Sequence, residues 1–259
     1  MAVSTTEAWD ALFSDFYLRA FADDARAAET QAQALAAARL SGCPERGELL
    51  DVPCGFGRHA VPLGRAGYRV VGVDRSQALI DAAAARRGHE RWPKLVCADY
   101  RQLPLPDESF DAALNLFSSL GYFGDEEDTR ALREIRRVLR PEGRLVIEIM
   151  HRDALVRGFR EQGWHLVGEG RMLLEQRTFD PATGIAQTTQ TLIETDGTRE
   201  SRTFSLRVYT ATELLAMLRA AGFEDARCYG DLEGAPFTAE SRLVVVARRW
   251  RAAGDAPPP

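Results

Sequence analysis

The chain has 259 residues, 45% of them hydrophobic and 27% charged. This is ordinary globular composition, long enough for one large α/β domain or two small ones, and able to bury a core without metal or disulfide staples. A formal net charge of -5 argues against nucleic acid as a partner, because scattered arginines on an acidic background offer no stripe to neutralise phosphates.

The first stretch is helical in character. Trp9, Phe13, Phe16 and Tyr17 recur at three- and four-residue spacing and give one aromatic face. The Ala-rich run from Asp24 to Leu40 favours helix by propensity, and Ser41-Gly42-Cys43-Pro44 breaks it. From Glu48 the pattern changes to short apolar runs separated by helices. Leu49 to Val52, Arg69 to Val73, Lys94 to Cys97, Phe110 to Phe117 and Leu145 to Ile149 read as strands. Helices are expected over Arg58 to Arg65, from an N-cap at Ser76, and over Glu126 to Leu139, ending at Arg140-Pro141-Glu142-Gly143. Such alternation with nearly continuous apolar strands implies a parallel sheet covered on both faces. From about Trp164 to Val208 the period becomes two, with turns at Asp180-Pro181, Thr183-Gly184 and Asp196-Gly197, which predicts an antiparallel meander. Thr210-Ala211-Thr212-Glu213 is a capping-box pattern opening a helix that ends near Ala221-Gly222. Strands over Ala226 to Tyr229 and Leu243 to Ala247 follow, and the tail from Gly254 to Pro259 is expected to be disordered.

Cys43, Cys54, Cys97 and Cys228 lie far apart without metal-ligand spacing, so no metal is expected and a reducing, cytoplasmic setting suits them. The N-terminus lacks a signal-peptide pattern, and no apolar run approaches the roughly 20 residues that span a bilayer. No membrane partner is expected, and a homo-oligomer is left open.

The chemistry gathers at strand ends. Gly55 and Gly57, between the first strand and its helix, allow a tight turn and close approach by a ligand. Glycines alone would admit a dinucleotide. Asp51, immediately before the turn, would repel a pyrophosphate and favours a cofactor that bears an ammonium group. Asp74 ends the second strand, placed to accept from both ribose hydroxyls. Asp99 follows the third, where it can accept from an adenine amino group. The alternative is three unrelated cap or turn acids.

Asp51-x-x-Cys54-Gly55-x-Gly57-Arg58-His59, Val73-Asp74-Arg75-Ser76, Ala98-Asp99, Phe110-Asp111-Ala112-Ala113-Leu114-Asn115 and Leu139-Arg140-Pro141-Glu142-Gly143 together resemble class I S-adenosylmethionine-dependent methyltransferases. Cys54-Gly55-Phe56-Gly57-Arg58-His59 departs from the commoner pattern, in which a third small residue stands at 56 or 58. It most resembles bacterial small-molecule N-methyltransferases, of the aminosugar and lincosamide or glycine/sarcosine type. The resemblance implies a Rossmann-like, mostly parallel seven-stranded sheet of order 3-2-1-4-5-7-6 with strand seven antiparallel, an N-terminal helical lid and an antiparallel insert after strand five. It implies one domain over 1–259, with a lid at 1–45, a cofactor-binding core at 46–150, an insert at 164–208 over the substrate site, a closing helix and hairpin at 209–250, and a disordered tail at 251–259. It implies S-adenosylmethionine as cofactor, with Asp74 on the ribose, Asp99 and Tyr100 on the adenine, Arg75 flanking the ring, Leu116 on the floor, and Pro53 and Arg58 contributing from the loop.

Methyl transfer mainly requires alignment and exclusion of water. Candidate acceptor-side groups follow strands four and five. Tyr122 and His151 are the candidate catalytic residues, His151 as a proton acceptor near neutral pH or, alternatively, a helix-entry residue. Ser118, Ser119 and Arg152 are candidate substrate contacts, Arg152 for a carboxylate or a structural ion pair. Trp164, Arg207 and Tyr209 either roof the substrate or pack the meander. His59 is read as a cap or packing residue. Tyr17 is expected to close the site over the cofactor's carboxylate end, or to pack in the core. The expected reaction is methylation of a small amine. The alternatives are O-methylation of a small hydroxyl or phenol, a nicotinamide-dependent oxidoreductase, and a non-catalytic cofactor-binding module.

Overall fold

The computed structural model describes residues 5–22 and 27–250. The expected disordered tail and the start of the second expected helix at Asp24 lie outside them.

Five strands alternate with helices as the apolar periodicity predicts: β1 (Glu48–Asp51), α4 (Ala60–Arg65), β2 (Arg69–Asp74), α5 (Gln77–Arg87), β3 (Lys94–Cys97), β4 (Phe110–Asn115), α6 (Asp125–Val138) and β5 (Leu139–Ile149). After the insert come α8 (Ala211–Ala220), β10 (Phe223–Tyr229) and β11 (Leu243–Arg249). The seven strands of the main sheet run β3-β2-β1-β4-β5-β11-β10. With the insert strands left uncounted this is the expected order 3-2-1-4-5-7-6, and β11 lies antiparallel to both neighbours. Strand β5 begins six residues earlier than its apolar run suggests. Arg140 to Gly143 stay extended beside β4, where the pairing shifts register between Phe110 and Ala112.

Side chains alternate across the sheet and build two cores. Leu50, Val73, Ala113 and Ile147 face α6 and α8, meeting Leu132, Ile135, Leu214 and Leu218. Leu49, Val70, Leu114 and Val146 face the other way, onto α3 (Ala27–Ser41) and α4 through Ala34, Ala37, Ala38 and Leu63. Small residues on α3 let it lie close against the sheet. Helix α8 starts with the predicted capping box: Thr210 Oγ1 accepts from Glu213 N at 3.2 Å and Glu213 Oε2 accepts from Thr210 N at 2.8 Å.

After the short helix α7 (Arg152–Arg157), the insert is a four-stranded antiparallel sheet of β6 (Gln162–Val167), β7 (Arg171–Asp180), β8 (Ile185–Ile193) and β9 (Arg199–Arg207). The N-terminal aromatic face divides into α1 (Thr5–Leu12) and α2 (Asp15–Phe21). Both pack on the insert, not on the main sheet, in a third core of Leu12, Phe16, Ala20, Leu173 and Leu192. Arg19 fastens these helices to the insert by pairing with Glu194 and Glu200, and Arg202 Nε donates to Ala11 O at 3.0 Å. Among the described residues, no helix is long and apolar enough to cross a membrane.

Candidate active site

The loop after β1 is fixed by its own backbone. Cys54 N donates to Val73 O at 2.8 Å and Gly57 N to Cys54 O at 3.0 Å. Gly55 and Gly57 have φ of 53° and 76°, left-handed values that glycine takes without strain. Their uses differ. A Cβ on Gly55 would meet nothing within 4 Å, whereas one on Gly57 would press on Val61 and Ala83 at 3.0 and 3.1 Å. Gly55 therefore lies open to the cavity, and Gly57 lets the loop pack against α4 and α5.

Asp74 binds the loop from β2. Its Oδ2 accepts from Gly55 N at 2.8 Å and its Oδ1 from Ser76 N at 2.9 Å. Burial pushes its carboxyl up to about 6, with those N–H groups pulling partly against the shift. Asp51 is 1% exposed, and its Oδ2 has no hydrogen-bond partner. Burial pushes it up to about 8, opposed by the Ala60 N–H and aided by the Asp74 charge.

Around this loop lies a cavity of about 490 Å³, lined by Pro53, Gly55, Phe56, Arg58, His59, Asp74, Leu116 and the lid rings of Trp9, Phe13 and Tyr17. Beyond it, beneath the insert, a second cavity of about 1080 Å³ is lined by Leu12, Phe159, Phe204, Glu175, Gln190, Arg177 and Arg242. Phe13, Tyr17, Phe117, Ser119 and Tyr122 border both. A ligand in the first cavity thus meets a ligand in the second across one wall. Burial raises the Tyr17 phenol to about 12, with the Arg58 charge pulling against it. Tyr122 is raised further by burial, so both stay neutral at physiological pH.

A methyltransferase domain model matches residues 50–147. The chain is 30% identical over 208 residues to the cypemycin N-terminal methyltransferase of a Streptomyces species, covering 78% of this chain and 83% of that protein. It belongs to the S-adenosylmethionine-dependent methyltransferases. The sugar N-methyltransferase KedS8 of Streptoalloteichus matches with a TM-score of 0.69 and 26% identity over 92% of each chain. The CcbJ methyltransferase of Streptomyces caelestis, at 23% identity, shares the fold with a TM-score of 0.75 over 86% of this chain and 90% of that one. Against three further curated relatives, from Bacillus subtilis, Clavibacter sepedonicus and Corynebacterium kroppenstedtii, the enzyme spans only 42–43% of their length.

The residues present fit S-adenosylmethionine. The open face of Gly55 leaves room for a ligand against the loop, Asp74 sets a carboxyl beside it that can accept from hydroxyls, and Asp51 is a buried carboxyl held above its usual range that suits a cationic partner. Asp51 has a buried oxygen without a donor.

Of the candidate cofactor contacts, Tyr17, Pro53, Gly55, Arg58, Asp74 and Leu116 line the first cavity. Asp51 sits directly behind the loop. Three others are turned to other work. Burial tends to raise the Asp99 carboxyl, but the Arg101 hydrogen bonds and the Arg75 charge outweigh it and hold it low. Arg101 Nη2 lies 2.6 Å from Asp99, so that carboxylate is already engaged. Arg75 reaches Asp10 at 3.2 Å and stands over the Trp9 ring, bracing the lid. Tyr100 is buried, its hydroxyl 3.5 Å from Ser119 O.

On the acceptor side, Ser118, Ser119 and Tyr122 line the second cavity. The other candidates lie elsewhere. His151 borders a separate surface pocket between α7 and the residues before β11, its ring tilted against Phe237 with centroids 4.9 Å apart, and it lines neither of the two cavities above. Burial lowers its pKa, with Asp153 opposing. Arg152 Nη2 donates to Pro181 O at 2.6 Å. Trp164 is 66% exposed on the outer strand of the insert. Arg207 pairs with Glu213 at 2.5 Å and Asp125 at 3.2 Å. Tyr209 is fully buried and donates to Asp128 Oδ2 at 2.7 Å. These last two join the return of the insert to α6 and α8, where a buried hydroxyl must find an acceptor.

His59 lines the cofactor cavity, which its reading as a packing residue omitted. Burial and the adjacent Arg58 lower it to about 3, so it is a neutral ring there. Sequence reasoning also missed Phe117, Glu175, Gln190 and Arg242.

Proposed function

We propose that the enzyme methylates the nitrogen of a small amine held beneath the insert. The observation that carries this reading is the wall of Phe13, Tyr17, Phe117, Ser119 and Tyr122 common to both cavities. The second cavity has the largely apolar lining, with a few polar groups, of a small-molecule site, roofed by β7, β8 and β9 and flanked by the N-terminal helices.

S-adenosylmethionine, when bound, supplies a sulfonium methyl group that a nucleophile displaces in line. The residues of the enzyme orient the partners and exclude water. Asp74 and Gly55 seat one end of the cofactor. The lid aromatics cover it. Tyr17 and Tyr122, as neutral phenols, offer hydroxyls to fix the acceptor. Neither they nor the neutral His59 is a competent base near pH 7. An amine that arrives neutral needs none, whereas a hydroxyl or phenol must lose a proton as it attacks. The names of the cypemycin N-terminal and sugar N-methyltransferases point the same way.

The test is S-adenosylhomocysteine formation across matched small amines, amino sugars, alcohols and phenols. Turnover of amines, rising with pH as the free amine fraction rises, is the expected result. Turnover confined to hydroxyl or phenol acceptors overturns the reading.

A further inference from the structure

The wall between the cavities rests on a strained turn. Phe117 and Ser118 have φ of 62° and 56°, two consecutive left-handed residues, neither a glycine. Bulky L-residues enter this region only where the surroundings over-determine them. Burial of the ring does not supply that constraint. Phe117 is 44% exposed, with the Arg58 guanidinium lying 4.1 Å from its centroid.

The constraint comes from the ends of two neighbouring strands. Glu148, near the end of β5, accepts from Phe117 N at 2.8 Å through Oε2 and from Ser118 N at 3.0 Å through its main-chain oxygen. Its other carboxylate oxygen pairs with Arg242 Nε, just before β11. Arg242 Nη2 donates to Ser118 Oγ at 2.9 Å, and the same hydroxyl accepts from Met150 N at 2.9 Å. The Glu148 side chain is only 13% exposed, so its hydrogen bonds are shielded from competing water. Every polar group of the turn that these residues reach is held in the left-handed form.

We propose that Glu148 and Arg242 are positioning residues that hold the Phe117–Ser118 turn left-handed and so place the Phe117 ring where cofactor and acceptor meet. Without the clamp the turn relaxes toward ordinary backbone angles, and only the fraction still left-handed presents an intact cofactor wall. Apparent affinity for a cofactor-cavity ligand then falls by that fraction. The inference concerns the cofactor side and does not depend on the acceptor's chemistry.

The test uses S-adenosylhomocysteine as probe, titrated by calorimetry into wild type, Glu148→Ala, Phe117→Ala and the double variant, with hydrogen exchange of the Phe117 and Ser118 amides measured alongside. Glu148→Ala is expected to weaken binding roughly tenfold and to speed exchange of both amides. The double variant should bind no worse than the weaker single, because both act through one ring. Glu148→Gln keeps an oxygen for the Phe117 N–H and should recover most of the loss. If Glu148→Ala does not fold, Arg242→Met carries the same cycle with Phe117→Ala. Wild-type affinity in Glu148→Ala or Arg242→Met, unchanged amide exchange in those variants, or losses that multiply in the double variant overturn the proposal.

Discussion

Binding of the cofactor should expel a proton from Asp51. Its carboxyl sits up at about 8 because it is buried with one oxygen unpartnered. At pH 7 such a group is about nine-tenths protonated, and Asp74, at about 6, about one-tenth protonated. A cationic amino-acid end arriving beside Asp51, and ribose hydroxyls donating to Asp74, favour the ionised forms of both. About one proton should therefore leave per molecule bound at pH 7. Titrating S-adenosylhomocysteine calorimetrically in buffers of different ionisation heat measures that number directly. Asp51→Asn removes the main titrating group. It should cut the release to about a tenth of a proton and, by leaving the cofactor's ammonium without its partner, weaken binding by about 3 kcal/mol, roughly a hundredfold. Zero proton release by the wild type at pH 7, or wild-type affinity in Asp51→Asn, would refute the reasoning.

The same shift sets a stability slope. Asp51 moves from the usual 3.8 in the unfolded chain to about 8 when folded, so the folded protein holds a proton that the unfolded chain has released, and stability falls as pH rises through that window. The Tm of the cofactor-free enzyme should drop between about pH 6.5 and about pH 8.5, and saturating S-adenosylhomocysteine should flatten the slope; a Tm that rises over this range contradicts it. Tyr17→Ala opens the lid side of the cavity and should weaken S-adenosylhomocysteine roughly tenfold, whereas Tyr17→Phe keeps the ring contacts and should bind within about threefold of wild type. Equal behaviour of both variants and wild type removes Tyr17 from the site. His151→Ala should keep turnover within about fivefold, since the residue lines neither the cofactor cavity nor the one beneath the insert; a loss above a hundredfold in folded protein restores it as a catalytic candidate. Arg19→Ala removes the half-buried pairs to Glu194 and Glu200 and should cost about 1 kcal/mol of stability while raising KM for the acceptor, read by melting and steady-state kinetics; an unchanged KM detaches the lid from acceptor binding.

The parts of the molecule that were legible in the sequence are those governed by local pattern. Continuous apolar runs marked β1 to β5, period-two alternation marked the insert, and Thr210 with Glu213 announced α8. The loop-lining side of the cofactor cavity was legible for the same reason, because Pro53 to Arg58 are contiguous and Asp74 directly ends β2. The acceptor side assembles residues that follow β4 and β5, lie on β7 and β8 and precede β11, and no local spacing links Phe117, Met150, Glu175, Gln190 and Arg242. Arg207 and Tyr209 belong to the chain leaving the insert. Their polar ends are claimed by Glu213 and Asp128, partners supplied by α8 and α6. Arg101, two residues on, folds back over the Asp99 carboxylate, a pairing that the strand-end pattern does not announce. The break between α1 and α2 was hidden by an aromatic stripe that runs through it.

A crystal structure with S-adenosylhomocysteine tests the central claim most directly. The account predicts ribose hydroxyls on Asp74 and the sulfur directed at the wall of Tyr17, Phe117, Ser119 and Tyr122, opening onto the cavity beneath the insert. A sulfur directed away from that wall, with the second cavity cut off from it, would contradict the account.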